Sequence, residues 1–264
     1  MASNNRDVGI YKILIDEVPA DGSTMPADSA MILINKIKPD TVALEKDDNT
    51  FVTTKNQEDN TVDQLLLTEV GDTNFSFEVW DFSFDNLIRI LGGSVVDGKW
   101  VEPVNAYRGR EVSLRIVTKS GKGLHAVTDF PRIKMQGKIN GTLSEGEPST
   151  IMYTFTKLTP QDENGVSKSA MFKYYKPTAP TNPVTDDVAD TFGWDYVEGF
   201  EDPTEYEYSV DGGSNFSDCT ANPQTGISTA VPVGDLKVRV KQNFTATYPN
   251  VVGYELANLE PFTV

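Results

Sequence analysis

The sequence has little of what metal-binding, disulfide-bonded and exported proteins need. It contains one cysteine, Cys219, and one histidine, His125. An intrachain disulfide is therefore impossible, and a zinc site of the usual Cys/His type lacks ligands. No apolar run approaches the roughly 20 residues that span a bilayer, and the first residues lack the basic and apolar regions of a signal peptide. We expect a chain made in a reducing compartment that interacts with no membrane.

Basic side chains are also scarce. The chain has 23 Lys and Arg against 39 Asp and Glu, a net charge of −16. Tight binding to nucleic acid requires clustered cations that displace the counterions of the phosphates, so this composition argues against it. The charge is uneven, because residues 177–264 hold 14 acidic and 3 basic side chains, whereas residues 1–176 have a net charge of only −5. The C-terminal part is predicted to be a strongly acidic module.

Motifs for nucleophilic catalysis and phosphate binding are missing. Neither His125 nor Cys219 lies in a nucleophile motif such as G-x-S-x-G, and the Walker signature is absent. The pair Gly92-Gly93 follows a predicted helix, whereas an anion-binding loop precedes one. The sequence therefore predicts neither an enzyme nor a nucleotide cofactor.

The many carboxylates favour a solvated surface over a site. Asp186, Asp187, Asp190 and Asp195 are close in sequence, but they lack the spacing of a calcium loop with its terminal glutamate. A glycosidase pair is not excluded by counting, yet nearly all carboxylates lie in polar stretches. We expect no metal and no cofactor.

What the sequence does contain is apolar residues at period two, the spacing that places alternate side chains on one face of a strand. A mainly β fold follows. The predicted strands of the first part are Val8–Ile15, Met31–Ile34, Phe75–Val79, Val112–Thr118, Arg132–Asn140 and Ile151–Phe155.

One helix is predicted between Ser83 and Gly93. Ser83 is placed to cap its first turn, Asp85 lies near the positive end of its dipole, and Gly92 can end it. Its apolar face, predicted to pack on the core of the sheet, consists of Phe84, Leu87, Ile88 and Leu91.

A domain boundary is predicted after Lys176, where three prolines in residues 176–183 favour an extended linker. Beyond it, short strands at regular spacing are typical of a β-sandwich. These strands are Thr191–Trp194, Thr204–Ser209, Thr229–Pro232, Leu236–Val240 and Gly253–Leu256. The domains are thus 1–176 and 177–264, and the core of the second is predicted to contain Trp194, Tyr206 and Tyr208.

Several segments, in this order, resemble the major tail (tail tube) protein of long-tailed phages. They are Phe77–Leu87 with Leu91–Gly93, the region of Trp100 and Pro103, Val112–Thr118, and Gly137–Glu147 running into Ile151–Leu158. The resemblance covers roughly residues 1–176. The second domain, with Phe192-Gly193-Trp194 and Asp211-Gly212-Gly213, resembles an immunoglobulin-like or fibronectin type III-like module.

The resemblance implies a tail tube β-sandwich or barrel with one flanking α-helix, followed by a second, immunoglobulin-like β-sandwich. It implies that the chain is made in the host bacterial cytoplasm and forms homohexameric rings, which stack into the tube of a virion tail. The C-terminal domain of each subunit would face outward from the tube. The expected partners are further copies of the chain and other tail proteins, namely tape measure, tail terminator and tail tip. Genomic DNA passes through without tight binding.

Two surfaces are predicted to contact neighbouring subunits. The long polar segment Lys38–Asp63 is predicted to be an exposed loop, or to contain a small hairpin around Asp47-Asp48-Asn49. The resemblance implies that this segment and the N-terminal arm contact neighbouring subunits or rings. The candidate residues of the segment are Asp47, Asp48, Lys55, Glu58 and Asp59. The polar face of the predicted strand 132–140, a lumen or inter-subunit face, consists of Arg132, Lys134, Gln136 and Lys138. Because a basic lining would hold DNA, we predict that these cations pair with acidic residues of the adjacent subunit.

A second interpretation is a protein of the tail tip or baseplate, or another adhesin-like protein, that recognises a host glycan or receptor. A third, an enzyme acting on cell-wall glycans, rests on the carboxylates alone. The sequence leaves open whether the tail is contractile.

Overall fold

The computed structural model describes residues 8–47, 50–55, 62–69, 72–104, 109–119, 123–140, 149–227, 230–241 and 253–262. The helical elements in this part are α1 (Phe84–Leu91) and a 3-10 turn (Pro203–Glu205). The strands are β1 (Val8–Glu17), β2 (Ile32–Leu33), β3 (Ala43–Lys46), β4 (Thr50–Lys55), β5 (Val62–Glu69), β6 (Thr73–Val79), β7 (Ser94–Val96), β8 (Lys99–Val101), β9 (Arg110–Lys119), β10 (Leu124–Asn140), β11 (Thr150–Lys157), β12 (Phe172–Pro177), β13 (Thr181–Asp186), β14 (Thr191–Asp195), β15 (Tyr206–Ser209), β16 (Ser217–Asp218), β17 (Gln224–Thr225), β18 (Lys237–Val240) and β19 (Leu256–Ala257).

The fold is mainly β, with several antiparallel sheets and one α-helix in the described part, so the predicted fold class is confirmed. The chain divides into two compact units that interleave in sequence. The N-terminal unit comprises residues 12–116 and 129–172. The C-terminal unit comprises 173–264 together with 117–128 and the residues up to Tyr11. The division therefore differs from a single cut after residue 176.

The largest sheet has eight strands in the order β2-β1-β9-β10-β11-β6-β3, and β12 also pairs with β10. In its second part, β10, β11, β6 and β3 are neighbours. Met135 is opposite Phe155, Phe155 opposite Phe75, and Phe75 opposite Leu44. Because side chains along a strand point alternately to the two faces of a sheet, this row and the adjacent row of Tyr153 and Phe77 lie on the same face. Both rows are buried, except that Leu44, at the end of the first row, is 53% exposed.

The helix α1 packs on this buried face by a different set of residues from the predicted one. It buries Asn86, Leu87 and Ile90, whereas Ile88 and Leu91 are half-buried and Phe84 is exposed. The reason is a close approach to β10, since a Cβ on Gly137 would lie 1.8 Å from Cγ2 of Ile90. Ile90 therefore occupies the centre of the contact, and the buried face is rotated away from Phe84.

The ends of α1 also show local chemistry. Ser83 makes no side-chain capping bond to the helix, and its hydroxyl donates instead to Oδ2 of Asp81 at 3.2 Å. At the other end, Gly92 adopts φ 76° and its amide donates to the carbonyl of Ile88 at 3.0 Å. A positive φ strains residues with a Cβ, which explains why glycine ends the helix here.

Part of the predicted loop Lys38–Asp63 is a sheet, which corrects that prediction. β3 pairs with β6, and β4 forms an antiparallel hairpin with β5. The turn after α1 is a second hairpin, β7–β8, with φ of 50° at Asp97 and 73° at Gly98. Positive φ at both central residues is the requirement of the tight hairpin turn that matches strand twist.

The C-terminal unit contains two small antiparallel sheets, β13-β14-β17 and β16-β15-β18-β19. They contribute to a core of buried residues that includes Phe192, Tyr206, Leu236 and Val238. In the stretch predicted as a linker, residues 176–177 end β12 and residues 181–183 begin β13, while residues 178–180 connect the two strands. Of the predicted strand Thr229–Pro232, the described residues show an isolated bridge from Val231 to Phe262.

Candidate assembly surfaces

One face of the sheet β10-β11-β6-β3 is polar and lies opposite the face covered by α1. The rows across it are Lys134, Thr156, Asn74 and Glu45; Gln136, Thr154, Ser76 and Ala43; and Lys138, Met152 and Glu78. We call these residues the polar face. Lys134, Gln136, Lys138 and Glu45 are exposed, and the residues of β6 and β11 are half-buried. Strand alternation in the sequence predicts a face of Arg132, Lys134, Gln136 and Lys138, and these four residues occupy alternate positions of β10.

Glu78 is the most tightly held group of the polar face. Its carboxylate accepts hydrogen bonds from Thr150 Oγ1 at 2.9 Å and Asn140 Nδ2 at 2.8 Å. It also accepts from Lys38 Nζ at 3.3 Å. Burial raises the pKa of Glu78, but these hydrogen bonds and the charge of Lys38 outweigh burial, so the pKa is lowered from its ordinary value.

The cations of β10 differ in their surroundings. Arg132 donates through Nε to Oε2 of Glu111 at 2.7 Å, so it already has an intramolecular partner. Lys134 and Lys138 form no ion pair with any residue that the structure describes. Lys134 and Lys138 thus share the polar face with two glutamates, Glu45 and Glu78, and Glu78 is also paired with Lys38. The two negative charges therefore offset most of the positive charge of these three lysines.

A buried charge cluster lies elsewhere in the N-terminal unit. The guanidinium of Arg115 donates to both carboxylate oxygens of Asp129 at 2.7 Å. It also contacts Asp28, and Lys12 Nζ lies 3.9 Å from the same carboxylate. The side chains of Arg115 and Asp129 are only 10% and 5% exposed. A bidentate pair at this depth fixes β9 against β10 and holds the segment that carries Asp28.

Exposed apolar side chains are concentrated near α1. In residues 80–104, which we call the helix-flanking segment, the exposed large apolar residues are Trp80, Phe82, Phe84, Val95, Val96, Val101 and Val104. The indole of Trp100 donates to the carbonyl of Gly92 at 2.9 Å, which ties β8 to the end of the helix. Exposed apolar groups concentrated in this way are typical of interaction surfaces.

The candidate inter-ring residues fall mostly outside what the structure describes. Asp48, Glu58 and Asp59 lie outside the described residues, and Lys55 ends β4. Asp47 is exposed just after β3, and its amide donates to the carbonyl of Asp72 at 2.8 Å. Their proposed role in contacts between rings stays a prediction.

In the C-terminal unit, Trp194 and Tyr206 lie in the core with ring centroids 5.5 Å apart, and Tyr208 packs against that core. The hydroxyl of Tyr206 donates to the carbonyl of Phe200 at 2.7 Å and accepts from the amide of Val197 at 2.9 Å. Burial raises the pKa of Tyr206 well above its ordinary value. A buried tyrosine that bonds to upstream backbone recurs in immunoglobulin-like sandwiches.

Cys219 and His125, the two residues considered as nucleophile or base, have different surroundings. Burial raises the pKa of the Cys219 thiol to about 12. His125 stacks on Tyr11 with centroids 4.7 Å apart, and its Nδ1 lies 2.7 Å from the carbonyl of Thr118. Among the residues the structure describes, no group of three or more His, Cys, Asp or Glu is placed to hold a metal ion, and no helix is long and apolar enough to cross a membrane.

Comparison with known proteins adds little to this geometry. No protein-family description matches the chain, and no curated protein matches it. Among solved structures, it is similar to one described as "Structure of a type six secretion system protein", with 14% sequence identity and a TM-score of 0.25. The match covers 63% of this chain and 94% of that one. At this TM-score the likeness carries no argument about fold or function.

Proposed function

We propose that this chain is a structural, non-enzymatic protein of a phage tail that assembles into rings of the tail tube. The observation that carries the proposal is the sheet β10-β11-β6-β3, which is covered by α1 on one face and polar on the other. A tube subunit needs this asymmetry, because one face of its sheet must bury a core while the other faces an aqueous channel. The order of the tail-protein-like sequence segments supports the same conclusion.

The polar face is proposed to line the channel. Duplex DNA is a polyanion that a basic lining would hold by releasing counterions, and a strongly acidic lining would repel it. On the polar face Glu45 and Glu78 offset most of the positive charge of Lys134, Lys138 and the neighbouring Lys38. A lining with so little net charge would neither hold DNA nor repel it strongly. A lining that carried only the cations of β10 would instead hold DNA.

Subunits are proposed to join through the terminal strand β3. This strand pairs with β6 on one side and ends the described sheet, and an unpaired strand edge is a template for another strand. Closed rings use head-to-tail contacts, so β3 of one subunit would meet the second half of β10 in the next. Glu45 on β3 and Lys134 and Lys138 on β10 are the complementary charges of this joint.

Apolar contacts are proposed to contribute most of the binding energy. Exposed ion pairs are worth only about 0–1 kcal/mol each, whereas apolar burial contributes about 25 cal/mol per Å². Leu44 continues the buried row of the sheet to its edge and is 53% exposed. Together with the helix-flanking segment, it supplies apolar surface that assembly would cover.

Negative-stain electron microscopy of the purified protein, before and after concentration and mild heating, tests the proposal. We expect rings or hollow tubes. A biotin-acceptor peptide inserted beside Val188, which is 97% exposed, then marks the C-terminal unit, and we expect streptavidin on the outside of the tubes. A monomer under all conditions, including with tail extracts that supply an initiator, would contradict the tube and favour a tip or adhesin-like role.

A further inference from the structure

The C-terminal unit contains a segment that is distant in sequence from the rest of it. Residues 117–128, the end of β9 and the beginning of β10, belong to the same compact unit as residues 173–264. We call residues 123–128 the hairpin tip. Three consecutive residues of this tip contact three different parts of the C-terminal sequence.

The first of them, Gly123, fits closely against the backbone. The amide of Thr178 donates to its carbonyl at 2.9 Å. A Cβ at Gly123, which has φ 71°, would lie 2.2 Å from the carbonyl oxygen of Glu198 and 2.8 Å from Cγ1 of Val197. Both the positive φ and the lack of space therefore require glycine at this position.

The second, Leu124, is part of the core of the unit. It is 9% exposed and belongs to the same buried cluster as Phe192, Trp194 and Leu236. A leucine that a distant hairpin places in a core contributes apolar burial that no local residue replaces. Residues 173–264 alone would leave this position of their core vacant.

The third, His125, lies among aromatic rings. It meets the ring of Tyr254 edge-on with centroids 5.7 Å apart, and Lys176 Nζ lies 3.9 Å from the centroid of that same ring. The amide of Tyr254 donates to the carbonyl of Pro177 at 3.1 Å, and β12, which ends at Pro177, pairs with β10. Strand pairing, core burial and ring contacts thus converge on one short segment.

We propose that the hairpin tip is a docking site for the C-terminal module, residues 173–264, which stays bound to it without an intact chain. The module would then be held at two points, covalently through β12 and non-covalently through the tip. A cut in the chain between β11 and β12 would not release it. This inference goes beyond the proposed function and holds whether or not the protein forms rings.

The turn at residues 162–167 offers the place to cut. Asn164, Gly165 and Val166 are exposed, and nothing lies within 4 Å of a Cβ built on Gly165. We would insert a protease recognition sequence after Asn164 in the full chain, cleave it, and apply the product to size-exclusion chromatography. We expect both fragments in one peak at the position of the uncut protein. Elution of the C-terminal fragment by itself would overturn the proposal.

Matched leucine variants assign the binding to the tip. Leu124→Ala removes a core leucine, whereas Leu259→Ala removes one that is 74% exposed in the same unit. In the cleaved protein we expect Leu124→Ala to weaken the association of the fragments by about 30-fold or more, and Leu259→Ala to leave it unchanged. Equal behaviour of the two variants would show that other contacts hold the fragments.

Should Leu124→Ala fail to fold, a glycine pair answers the same question. Gly123→Ala and Gly199→Ala both place a Cβ on a residue with positive φ, but only the first meets neighbouring atoms. We expect faster exchange of a labelled C-terminal fragment for Gly123→Ala than for Gly199→Ala. Equal exchange rates would overturn the assignment. Because the assay uses unassembled protein, its failure is distinct from failure to form tubes.

Discussion

Gly137 is the residue on which the contact between α1 and the sheet depends. A Cβ at this position would lie 1.8 Å from Cγ2 of Ile90 and 3.0 Å from the carbonyl oxygen of Met152. Neither atom is the end of a long flexible side chain, so the helix itself would have to move. The absence of a side chain at residue 137 thus sets how near α1 lies to β10.

Gly137→Ala is expected to lower the free energy of unfolding by about 1–3 kcal/mol, the usual cost of overpacking. Urea denaturation measures it. Gly98→Ala is the control, because nothing lies within 4 Å of its Cβ and only the strain of φ 73° is added. If the clash with Ile90 is the cause, Gly137→Ala in an Ile90→Ala background will cost less than in the native chain. If the effects of the two substitutions on stability were simply additive, the cost of Gly137→Ala would have a cause other than the clash with Ile90.

The ion pair of Arg115 and Asp129 is the second feature at this scale. Removing one partner of a buried pair leaves an uncompensated charge, so Arg115→Met is expected to destabilise the fold by about 3–5 kcal/mol. The matched control is Arg132→Met, because the pair of Arg132 with Glu111 is partly exposed, with side chains 31% and 46% accessible, and such pairs contribute about 0–1 kcal/mol. Thermal unfolding of both variants compares them. If both variants lost a similar amount of stability, burial would not determine how much these ion pairs contribute.

At the scale of elements, the polar face explains why some features could be predicted from the sequence. The alternation of Lys134, Gln136 and Lys138 with Ile133, Met135 and Gly137 already separates two faces, because strand geometry depends only on neighbouring residues. The residues that α1 buries could not be predicted in this way. Its buried residues were decided by Gly137 and Ile90, which are distant in sequence, and helical periodicity contains no information about that contact.

The segment Lys38–Asp63 shows a second limit of prediction from the sequence. Its abundant Asp, Asn, Thr and Lys predicted a loop, but β3, β4 and the start of β5 lie within it. β3 is stabilised by pairing with β6, a partner about 30 residues away in sequence, and such pairing can outweigh weak local propensity. The polar composition therefore indicated that this edge of the sheet is exposed. It did not indicate that strands are missing there.

The proposed joint between β3 and β10 makes a charge-exchange prediction. Glu45→Lys would place like charges opposite Lys134 and Lys138 of the adjacent subunit, so we expect it to reduce ring or tube formation. Lys134→Glu with Lys138→Glu should reduce it as well, and the combination of all three should restore it. Sedimentation velocity and electron microscopy measure assembly. Assembly that is unaffected by the lysine reversals would contradict the pairing.

At the scale of the whole molecule, acid pH is expected to weaken the fold through its hydrogen-bonded carboxylates. In the folded state, the pKa of Glu78 lies below its ordinary value of 4.5. A lowered pKa contributes stability that is present above the unfolded value and is lost as the pH falls through the folded value. Asp21, Asp162, Asp202 and Asp211 also have lowered pKa values, owing to hydrogen bonds from their own turns.

Glu205 acts in the opposite direction, because burial raises its pKa, and its ionisation at neutral pH therefore costs stability that returns on acidification. Among the carboxyl groups of the described residues, five have a lowered pKa and one has a raised pKa. We therefore expect the melting temperature to fall below about pH 4.5. Glu78→Gln should flatten this dependence, and Glu45→Gln, a more exposed carboxylate on the same face, serves as its control. The same slope for wild type and Glu78→Gln would show that Glu78 is not a principal contributor.

The sequence by itself determined the mainly β class, the presence of the helix α1, the acidic C-terminal part and the two faces of β10. Each of these follows from composition or from spacing along a short stretch of chain. Only the tertiary structure decided that residues 117–128 belong with residues 173–264, that β3 ends the sheet, and that Ile90 packs on Gly137. These features depend on contacts between residues far apart in sequence, and local patterns of polarity and periodicity do not specify which distant segments meet.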